Sequence, residues 1–453
     1  MVTYHNIAYT KVIDAVKSKD PMTLVIKIGT SSICDEKTHY PLLSNLSRIV
    51  ETILHLKTLG HRVVLVTSGA VGVGLLNLGL VEKPKSRAAI QAIAAVGQGR
   101  LMSMYDDLFG RFNQPIAQIL LTRNDLADRS QYLNAVNCLT ELLDMDIVPI
   151  VNENDTISDG AVRFGDNDTL SAITAGMVRA DYLFLMTDVD CLYTDNPRTN
   201  PDARAVLVCD NIEKLRQEVC VTSMGSSLGT GGMMTKLVAA ELATAAGVTT
   251  IIARGSTPEN IIPIITQQQD KEDGRLQAYA TSSSTTKAMP LHTRFLPNAE
   301  PLVDRKWWIL HGLHTAGSIE IEDQEVLLPS NASSSDDDSE DGVHTPCASS
   351  ESTDSLFEVS SVPAIAVKSI QGSFIEHQAV NIIVRRRCSQ KNKQGETIAG
   401  GEDAVTIAKG IVNFSSAEIN RILEANRNNK LDTFGYDTKN TCLMNPDNIA
   451  VYA

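Results

Sequence analysis

Residues 152–172 read NENDTISDGAVRFGDNDTLSA, and this stretch decides how the rest of the chain is interpreted. It follows an apolar run at 147–151 and precedes a helical pattern. Polar side chains dominate it, and Gly160 and Gly165 supply turn geometry that other residues resist. Open α/β sheets bind ligands in such loops, at the carboxyl ends of buried strands, so the stretch indicates a ligand site. The alternative is a solvated loop followed by a helix that aspartate caps.

Strand-like and helical patterns alternate on both sides of this stretch. Apolar, β-branched runs indicate strands at 23–28, 63–66, 115–121, 147–151, 182–186 and 249–253. Helical spacing of apolar residues indicates helices at 44–59, 86–109, 130–144, 168 to about 180, and 237–246. This alternation predicts an α/β fold with a mainly parallel sheet sandwiched by helices. After about residue 265 the pattern loosens, and three glutamines at 267–269 indicate a loop or linker.

The C-terminal third follows a different pattern, in which short strand-like runs predict a small, mostly β domain. We therefore divide the chain into a lead-in at 1–20, an α/β domain at 21–297 and the small domain at 298–453. Residues 330–356 are rich in Ser, Asp and Glu and nearly free of apolar side chains, so we expect a disordered insertion there. A solvated loop without function is the preferred interpretation of this insertion, and a phosphorylated regulatory segment is the alternative.

The bulk composition narrows the class of protein. The chain has 453 residues, 43% of them hydrophobic and 21% charged, as in an ordinary soluble globular protein. Its net charge of −14 argues against general affinity for nucleic acid, which depends on attraction to phosphates. The eight cysteines form no CxxC pair and no zinc-ligand spacing, so we expect free thiols and no metal site. Residues 1–20 lack a signal-type apolar core and no run has transmembrane length, so we expect a cytoplasmic protein without membrane contact.

Two lysines stand where a lysine is unfavourable. Lys27 interrupts the apolar strand at 23–28, and a lysine buried there is costly unless it is paired. Lys236 lies in the first turn of a helix that follows the glycine-rich residues 225–232, where the helix dipole disfavours a cation. Both positions make sense if an anion such as phosphate binds nearby, since glycine-rich loops before helices bind phosphate. The alternatives are an edge-strand lysine reaching solvent and a flexible linker before a helix.

A third turn of small residues, TSGAVGVG at 67–74, follows the strand at 63–66. Small residues let the backbone approach a ligand closely and leave amide groups free for an anion. Ser68 lies at the strand tip, which makes it a candidate binding residue. The glycines alone are a weak signal, since many strand-to-helix turns look like this.

Together these motifs resemble the amino acid kinase family, and most closely its glutamate-phosphorylating branch. The matching segments are VIKIGTS (25–31), VTSGAV (66–71), AAVGQGRLM (94–102), QILLTRNDL (118–126), VPIVNENDT (148–156), FGDNDTLSA (164–172), LMTDVDCLYTDNPR (185–198) and GTGGMMTKL (229–237). They cover nearly all of residues 21–255, in order. The segments RKWWIL (305–310), SIQGSF (369–374) and AKGIVNFSSAEI (408–419) resemble a PUA domain, and the acidic insertion departs from its compact bacterial pattern.

The resemblance implies a reaction and its catalytic residues. The reaction is transfer of the γ-phosphoryl group of ATP to the side-chain carboxylate of L-glutamate, which is the first step of proline biosynthesis. Lys27 and Lys236 would contact the transferring phosphoryl group, and Asp168 would orient both lysines. A pseudokinase is disfavoured because these three residues are all present.

The resemblance also implies the binding residues. Ser68, Asp155 and Asn167 would hold glutamate, and the Asp155 carboxylate suits its α-ammonium group. Mg²⁺ would bridge the phosphates of ATP with few protein ligands or none. The residues implied to hold ATP are Lys27, Thr187, Asp188, Thr230, Gly231, Gly232, Met233, Met234, Thr235 and Lys236.

Partners and rival functions come from the same resemblance. It implies feedback inhibition by proline, self-association into a homo-oligomer, and a possible contact with a γ-glutamyl phosphate reductase that consumes the labile product. Aspartate, N-acetylglutamate or a nucleotide remain alternative acceptors. RNA binding through the PUA-like domain is a further alternative, against which the net charge and the acidic insertion both speak.

Overall fold

The computed structural model describes residues 21–35, 37–158, 167–195, 200, 202–218, 232–272, 289–298, 301–302, 304–327, 360–391, 397–427 and 441–452. The chain divides into two compact units, Met1–Asp304 and Arg305–Ala453. The lead-in at 1–20, residues 225–231 of the glycine-rich segment and the acidic insertion at 330–356 lie outside the described residues. None of the described helices combines the length and the apolar character that crossing a membrane requires.

The first unit is built around an eight-stranded sheet. Its strands are β1 (Thr23–Ile28), β2 (Arg62–Val66), β3 (Ile116–Leu121), β4 (Val148–Glu153), β5 (Tyr182–Thr187), β8 (Val208–Cys209), β9 (Thr249–Arg254) and β10 (Thr293–Phe295), and β6 (Leu192–Tyr193) pairs separately with β7 (Ala205–Val206). Their order is β3-β4-β2-β1-β5-β9-β10-β8. Every neighbouring pair is parallel except β9 with β10. The predicted mainly parallel sheet is therefore confirmed.

The helices are α1 (Leu43–Thr58), α2 (Ala70–Asn77), α3 (Arg87–Gly110), α4 (Arg123–Ala127), α5 (Arg129–Asp144), α6 (Asn167–Met177), α7 (Ile212–Glu218), α8 (Met233–Ala245), α9 (Ile261–Glu272), α10 (Asp304–Trp307) and α11 (Ser416–Arg427). Apolar periodicity explains the first of them. Leu46, Ile49 and Ile53 recur on one face of α1 and are buried in the core against Ile26 of β1. The chain then turns at Gly60, whose φ of 93° is one that glycine adopts without strain.

Helix α9 corrects one expectation from the sequence. Residues 267–269 are helical and are not a loop, because α9 runs to Glu272. Ile261, Ile264 and Ile265 at its start are buried in the core and fix the first turns. Glutamine is a good helix former, so the helix continues through the three glutamines although none of them is apolar.

Helix α2 begins within the predicted turn of small residues at 67–74, since residues 70–77 are helical. Two glycines allow α2 and α3 to pack with their backbones in contact. A Cβ on Gly97 would lie 1.7 Å from the carbonyl oxygen of Ala70, and one on Gly74 would lie 2.1 Å from that of Ile93. These glycines therefore serve the approach of two helices, and this approach places the middle of α3 beside the end of β2.

The second unit contains a five-stranded sheet. Its strands are β11 (Thr315–Ile321), β13 (Val367–Gly372), β14 (Ala379–Lys391), β15 (Thr397–Ile411) and β17 (Ile449–Val451), in the order β13-β11-β14-β15-β17, and β12 (Val362–Pro363) pairs separately with β16 (Cys442–Met444). Apolar side chains of the sheet and of α11, such as Ile319, Ile382 and Ile422, form its core. This small, mostly β unit is what the short strand-like runs predicted.

A buried lysine ties the start of this unit to its sheet. Lys409 of β15 donates through Nζ to the carbonyl oxygens of Leu310 and Leu313, at 2.5 and 3.1 Å. His311 lies between them, and burial, with a contribution from the charge of Lys409, lowers its pKa to about 4. Its ring centroid is 5.6 Å from that of Trp307. The neutral form of His311 is therefore the one that fits the folded unit.

Candidate active site

Four predicted site residues lie at the carboxyl ends of parallel strands. Lys27 is near the end of β1, Ser68 follows β2, Asp155 follows β4, and Thr187 ends β5. These strands are neighbours in the sheet, so their ends meet at one edge, where α/β proteins bind ligands. Strand β1 pairs with β2 on one side and β5 on the other, and Lys27 is only 5% exposed. The edge-strand interpretation of Lys27 is therefore wrong.

Lys27, Asp168 and Lys236 form a buried ionic cluster. Asp168 is 0% exposed and Lys236 is 7% exposed. One carboxylate oxygen of Asp168 pairs with Lys27 Nζ, and the other lies 3.1 Å from Lys236 Nζ and accepts from the Thr235 hydroxyl at 2.8 Å. Two ammonium groups and one carboxylate give these side chains a net charge of +1. The three elements β1, α6 and α8 thus bring together the residues that the resemblance implied to be catalytic.

Asp168 remains ionised in this setting. Burial raises the pKa of its carboxyl group, but the charges of Lys27 and Lys236 and hydrogen bonds from Lys27 and Thr235 lower it further, so the pKa lies below its ordinary value. Helix α6 begins at Asn167, so Asp168 lies inside the first turn and is not its cap. The solvated-loop interpretation of this residue is therefore wrong.

A second, neutral cluster is built around Asn167, the residue before Asp168. Asn167 Nδ2 lies 2.8 Å from the carbonyl oxygen of Thr67, 2.8 Å from Ser68 Oγ and 2.9 Å from Asn152 Oδ1. Asn152 in turn donates through Nδ2 to Gln98 Oε1, at 2.8 Å. We call Gln98, Asn152, Asn167 and Ser68 the amide cluster. The fold thus brings two predicted glutamate-binding residues, Ser68 and Asn167, into contact.

The remaining predicted residues lie in loops along the same edge. Asp155 is in the turn after β4, where its backbone N–H donates to the carbonyl oxygen of Glu153 at 3.0 Å. The Thr187 hydroxyl donates to Asp188 Oδ1 at 3.1 Å, and the Thr187 carbonyl oxygen accepts from the Gly255 N–H at 2.7 Å. These bonds hold the loops that follow β4, β5 and β9.

Part of the predicted nucleotide segment is described, namely Gly232 to Lys236, while Thr230 and Gly231 lie outside the described residues. Helix α8 begins at Met233. The carbonyl oxygen of Gly232 lies 2.8 Å from the Thr235 hydroxyl, which also reaches Asp168, so the start of α8 is held against the ionic cluster. Met234 is largely exposed, in contrast to Lys236.

Sequence reasoning missed several members of these clusters. Gln98 contacts Asn152 across 54 residues of chain, and the Tyr105 hydroxyl lies 2.9 Å from the Thr67 hydroxyl. No local pattern marks Gln98 or Tyr105 as site residues, because both lie in the middle of the long helix α3. The only signal was the segment AAVGQGRLM, which carried the family resemblance without a role for any residue.

Comparison with known proteins identifies relatives over most of the chain. Residues 22–254 match the model of the amino acid kinase family. The chain is 47% identical over 403 residues to a probable glutamate 5-kinase of Schizosaccharomyces pombe, covering 88% of this chain and 86% of that protein. It is 39% identical over 429 residues to the glutamate 5-kinase of Nostoc punctiforme, covering 95% of this chain and 99% of that protein. The family match contains every residue of the ionic and amide clusters.

Among solved structures, the carbamate kinase from Giardia lamblia bound to AMP-PNP covers 61% of this chain and 98% of its own, with 16% identity and a TM-score of 0.41. The assignment of the chain rests on the sequence relatives and on the fold.

Proposed function

The chain belongs to the amino acid kinase family, and we propose that it transfers the γ-phosphoryl group of ATP to the side-chain carboxylate of L-glutamate, giving γ-glutamyl phosphate and ADP. Similarity to glutamate 5-kinases over 88% and 95% of the chain supports kinase activity and glutamate as the acceptor. The position of Lys27, Ser68, Asp155 and Thr187 at the carboxyl ends of neighbouring strands also supports it.

The observation that carries this proposal is the net charge of the buried ionic cluster. Lys27 and Lys236 both contact the carboxylate of Asp168, so these three side chains together carry a net charge of +1. A buried excess of positive charge is unfavourable unless an anion joins it. Phosphoryl transfer provides such an anion, and its catalysis consists mainly of positioning and charge stabilisation. The cluster thus suits a phosphoryl group passing between two oxygens.

The proposed acceptor needs no base. A glutamate side chain has a reference pKa of about 4.3, so at neutral pH it is already an ionised nucleophile. Lys27 and Lys236 would neutralise charge on the phosphoryl oxygens, which lets the carboxylate approach. Asp168 would hold both ammonium groups in place without contacting the reacting atoms.

ATP would lie over Thr187, Asp188 and residues 230–236, with its γ-phosphoryl group at Lys27 and Lys236. The Asp168 carboxylate already accepts from two lysines and Thr235, so it does not suit a metal ligand. Mg²⁺ suits the phosphates of ATP together with water, and it would supply further charge neutralisation there.

Glutamate would be held by Ser68, Asn167 and Asp155. Ser68 and Asn167 are already joined at 2.8 Å, so the first two form one surface. The Asp155 carboxylate would pair with the α-ammonium group, since opposite charges attract most strongly where water is scarce.

Further assignments follow from the proposed activity. The product would begin proline biosynthesis, proline would inhibit the enzyme, and a γ-glutamyl phosphate reductase would consume the labile acyl phosphate. We also propose a homo-oligomer in the cytoplasm, a kinase domain at 21–297 and a PUA-like domain at 298–453.

The decisive experiment measures ADP release from the purified protein with MgATP, with and without L-glutamate, and then with proline. Glutamate-dependent release that proline suppresses is the expected result. Release with aspartate, N-acetylglutamate or a nucleotide only would discard glutamate but retain the kinase assignment. An absence of ADP release with every acceptor would overturn the proposed activity.

A further inference from the structure

The hydrogen bonds of the amide cluster have a fixed donor-to-acceptor direction, and Asn167 is the first residue for which it can be assigned. The Asn167 atom that lies 2.8 Å from the carbonyl oxygen of Thr67 must be the NH₂ group, because a backbone carbonyl only accepts hydrogen bonds. The orientation of this side-chain amide is therefore fixed by the backbone and not by an arbitrary choice between nitrogen and oxygen. Its oxygen, Oδ1, is turned away, is buried and has no hydrogen-bond partner among the described residues.

The same reasoning orients the other two amides. The backbone N–H of Glu153 only donates, and it lies 2.9 Å from the Asn152 atom that must therefore be the oxygen. The Asn152 NH₂ group consequently faces Gln98, so the Gln98 atom at 2.8 Å must be an oxygen as well. Gln98 accepts from Asn152, Asn152 accepts from Asn167, and the series ends in the buried Asn167 oxygen, which has no donor among the described residues.

A buried acceptor without a donor, such as the Asn167 oxygen, distinguishes between the charged groups of an amino acid. A buried carbonyl oxygen without a donor costs about 1–3 kcal/mol, which a ligand removes by donating to it. An ammonium group has three donors, whereas an ionised carboxylate only accepts. The Asn167 oxygen therefore favours an α-ammonium group at this point and disfavours either carboxylate of glutamate.

We propose that Gln98 is a positioning residue, which acts through Asn152 to keep the Asn167 oxygen directed at the substrate α-ammonium group. The proposal rests on the glutamate kinase activity proposed above and adds the basis for selecting an amino acid over a plain dicarboxylate. Loss of the Gln98 oxygen leaves the buried NH₂ group of Asn152 without its acceptor. Asn152 regains an acceptor only by moving, and the movement withdraws its own oxygen from Asn167.

The placement of Gln98 depends on its neighbour in the chain. Gly97 allows α3 to touch the backbone of α2 at Ala70, so the position of Gln98 is set by two helices in direct contact. Asn152 belongs to strand β4 and is only 2% exposed. Rigid elements therefore hold both ends of the Gln98–Asn152 bond.

The test compares two substitutions of Gln98. Gln98→Met keeps the size and removes the acceptor, whereas Gln98→Glu keeps an oxygen facing Asn152. The readout is kcat/KM for L-glutamate divided by kcat/KM for glutarate, which is the same dicarboxylate without the amino group. We expect Gln98→Met to lower this ratio about tenfold, as for one hydrogen bond to a charged group, with the KM for ATP unchanged. Gln98→Glu should keep the ratio within about twofold of wild type, since it retains that bond.

A matched control and the contrary outcomes make the test decisive. Gln114→Met is the control, because the Gln114 NH₂ group donates to the carbonyl oxygens of Pro115 and Asp146 and the ratio should not change. An unchanged ratio in folded Gln98→Met overturns the proposal. A lost ratio in Gln98→Glu also overturns it, because that variant keeps an oxygen facing Asn152. If Gln98→Met does not fold, Gln98→Leu, which also lacks the acceptor, takes its place in the comparison with the same expected and contrary ratios.

A wild-type protein that turns over glutamate but does not discriminate against glutarate would overturn this inference and leave the proposed function intact. A wild-type protein without any glutamate-dependent ADP release would overturn the proposed function itself, and the inference with it. The two failures are therefore distinguishable in one set of assays.

Discussion

The ionic cluster and the amide cluster start at consecutive residues of α6 and use opposite chemistry. Around Asp168, two lysines share one carboxylate, so the excess charge is met by any suitably placed anion. Around Asn167, neutral amides are arranged so that each hydrogen bond has a fixed direction. In the proposed function, one helix terminus would serve two ligands by these two different means. Charge suits a phosphoryl group whose oxygens are equivalent, and hydrogen-bond direction suits an amino acid whose groups must be told apart.

The largest effect should come from removing charge from the ionic cluster. Lys236→Ala leaves Lys27 and Asp168 as a neutral pair, so no excess charge remains for the phosphoryl group. We expect kcat to fall about 10³-fold, as when one preorganised donor to a transition state is removed. ADP release measures the loss, and circular dichroism checks the fold. Lys57→Ala is the control, since Lys57 pairs with the exposed Asp146 before the start of β4, at the end of the strand opposite to the candidate site. Near-normal turnover in folded Lys236→Ala would show that the excess charge of the ionic cluster does not serve phosphoryl transfer.

The next effect should disturb the amide cluster through the packing of α2 on α3. A Cβ at Gly97 would overlap the carbonyl oxygen of Ala70, so Gly97→Ala forces the helices apart and should lower the free energy of unfolding by about 1–3 kcal/mol. Because Gln98 moves with α3, the KM for glutamate should rise more than the KM for ATP. Urea unfolding and steady-state kinetics measure the two effects.

Gly99→Ala is the matched control for this experiment. A Cβ at Gly99 meets nothing within 4 Å, so alanine there should stabilise α3 by up to about 1 kcal/mol through helix propensity. Equal behaviour of the two substitutions would show that the helix contact does not support the amide cluster.

A smaller effect should be a loss of stability of the second unit at low pH, which leaves both clusters unchanged. The pKa of His311 is lower in the folded protein, at about 4, than in the unfolded chain, at about 6.5. Its contribution to stability is therefore complete above pH 6.5 and is lost as pH falls towards 4, which amounts to about 2 kcal/mol at pH 5. Fluorescence reports the second unit alone, because Trp307 and Trp308 are the only two tryptophans in the sequence.

The ionic cluster should respond only at lower pH. The depressed pKa of Asp168 means that its contribution is present above about 3.9, the unfolded value, and is lost as pH falls below it. The amide cluster contains no group that titrates in this range. Loss of activity at pH 5 without loss of the second unit's fluorescence signal would contradict this division.

The smallest effect should come from Asp155, the carboxylate proposed to contact the substrate beside the amide cluster. Asp155→Ala removes one charged partner of the α-ammonium group while the amide cluster remains. We expect the KM for glutamate to rise about tenfold with little change in kcat, as for the loss of a half-buried charge contact made equally in the ground state and the transition state. An unchanged KM would assign recognition of the ammonium group to Asn167 alone.

Much of the ionic cluster could be predicted because its residues contradict their local surroundings. A lysine buried within an apolar strand requires a partner, so residues 23–28 alone indicated either a partner for Lys27 or an edge strand that lets it reach solvent. Asp168 lay in a stretch with little to bury, and the resemblance implied its connection to both lysines. The parallel sheet then followed from alternating patterns that depend only on local periodicity.

The amide cluster was largely hidden for the opposite reason. Gln98 is unremarkable within a helix, and its contact with Asn152 depends on how close α2 and α3 approach. That approach is a tertiary property of Gly74 and Gly97, which local propensity counts as helix-weakening residues. The direction of three amides cannot be read from residue types, because an amide both donates and accepts.

The adjacency of Asn167 and Asp168 has a consequence for substrate length. Consecutive Cα atoms are about 3.8 Å apart, so a single peptide of α6 separates Asn167, which would hold the amino acid, from Asp168, which would hold the two phosphoryl-binding lysines. Helix α6 would then set the distance between the ammonium group of the acceptor and the carboxylate that attacks the phosphorus. Aspartate is shorter than glutamate by one carbon–carbon bond of about 1.5 Å, and a displacement of about 1 Å can cost a hundredfold in rate. With its ammonium group anchored, aspartate would hold its carboxylate short of the phosphorus.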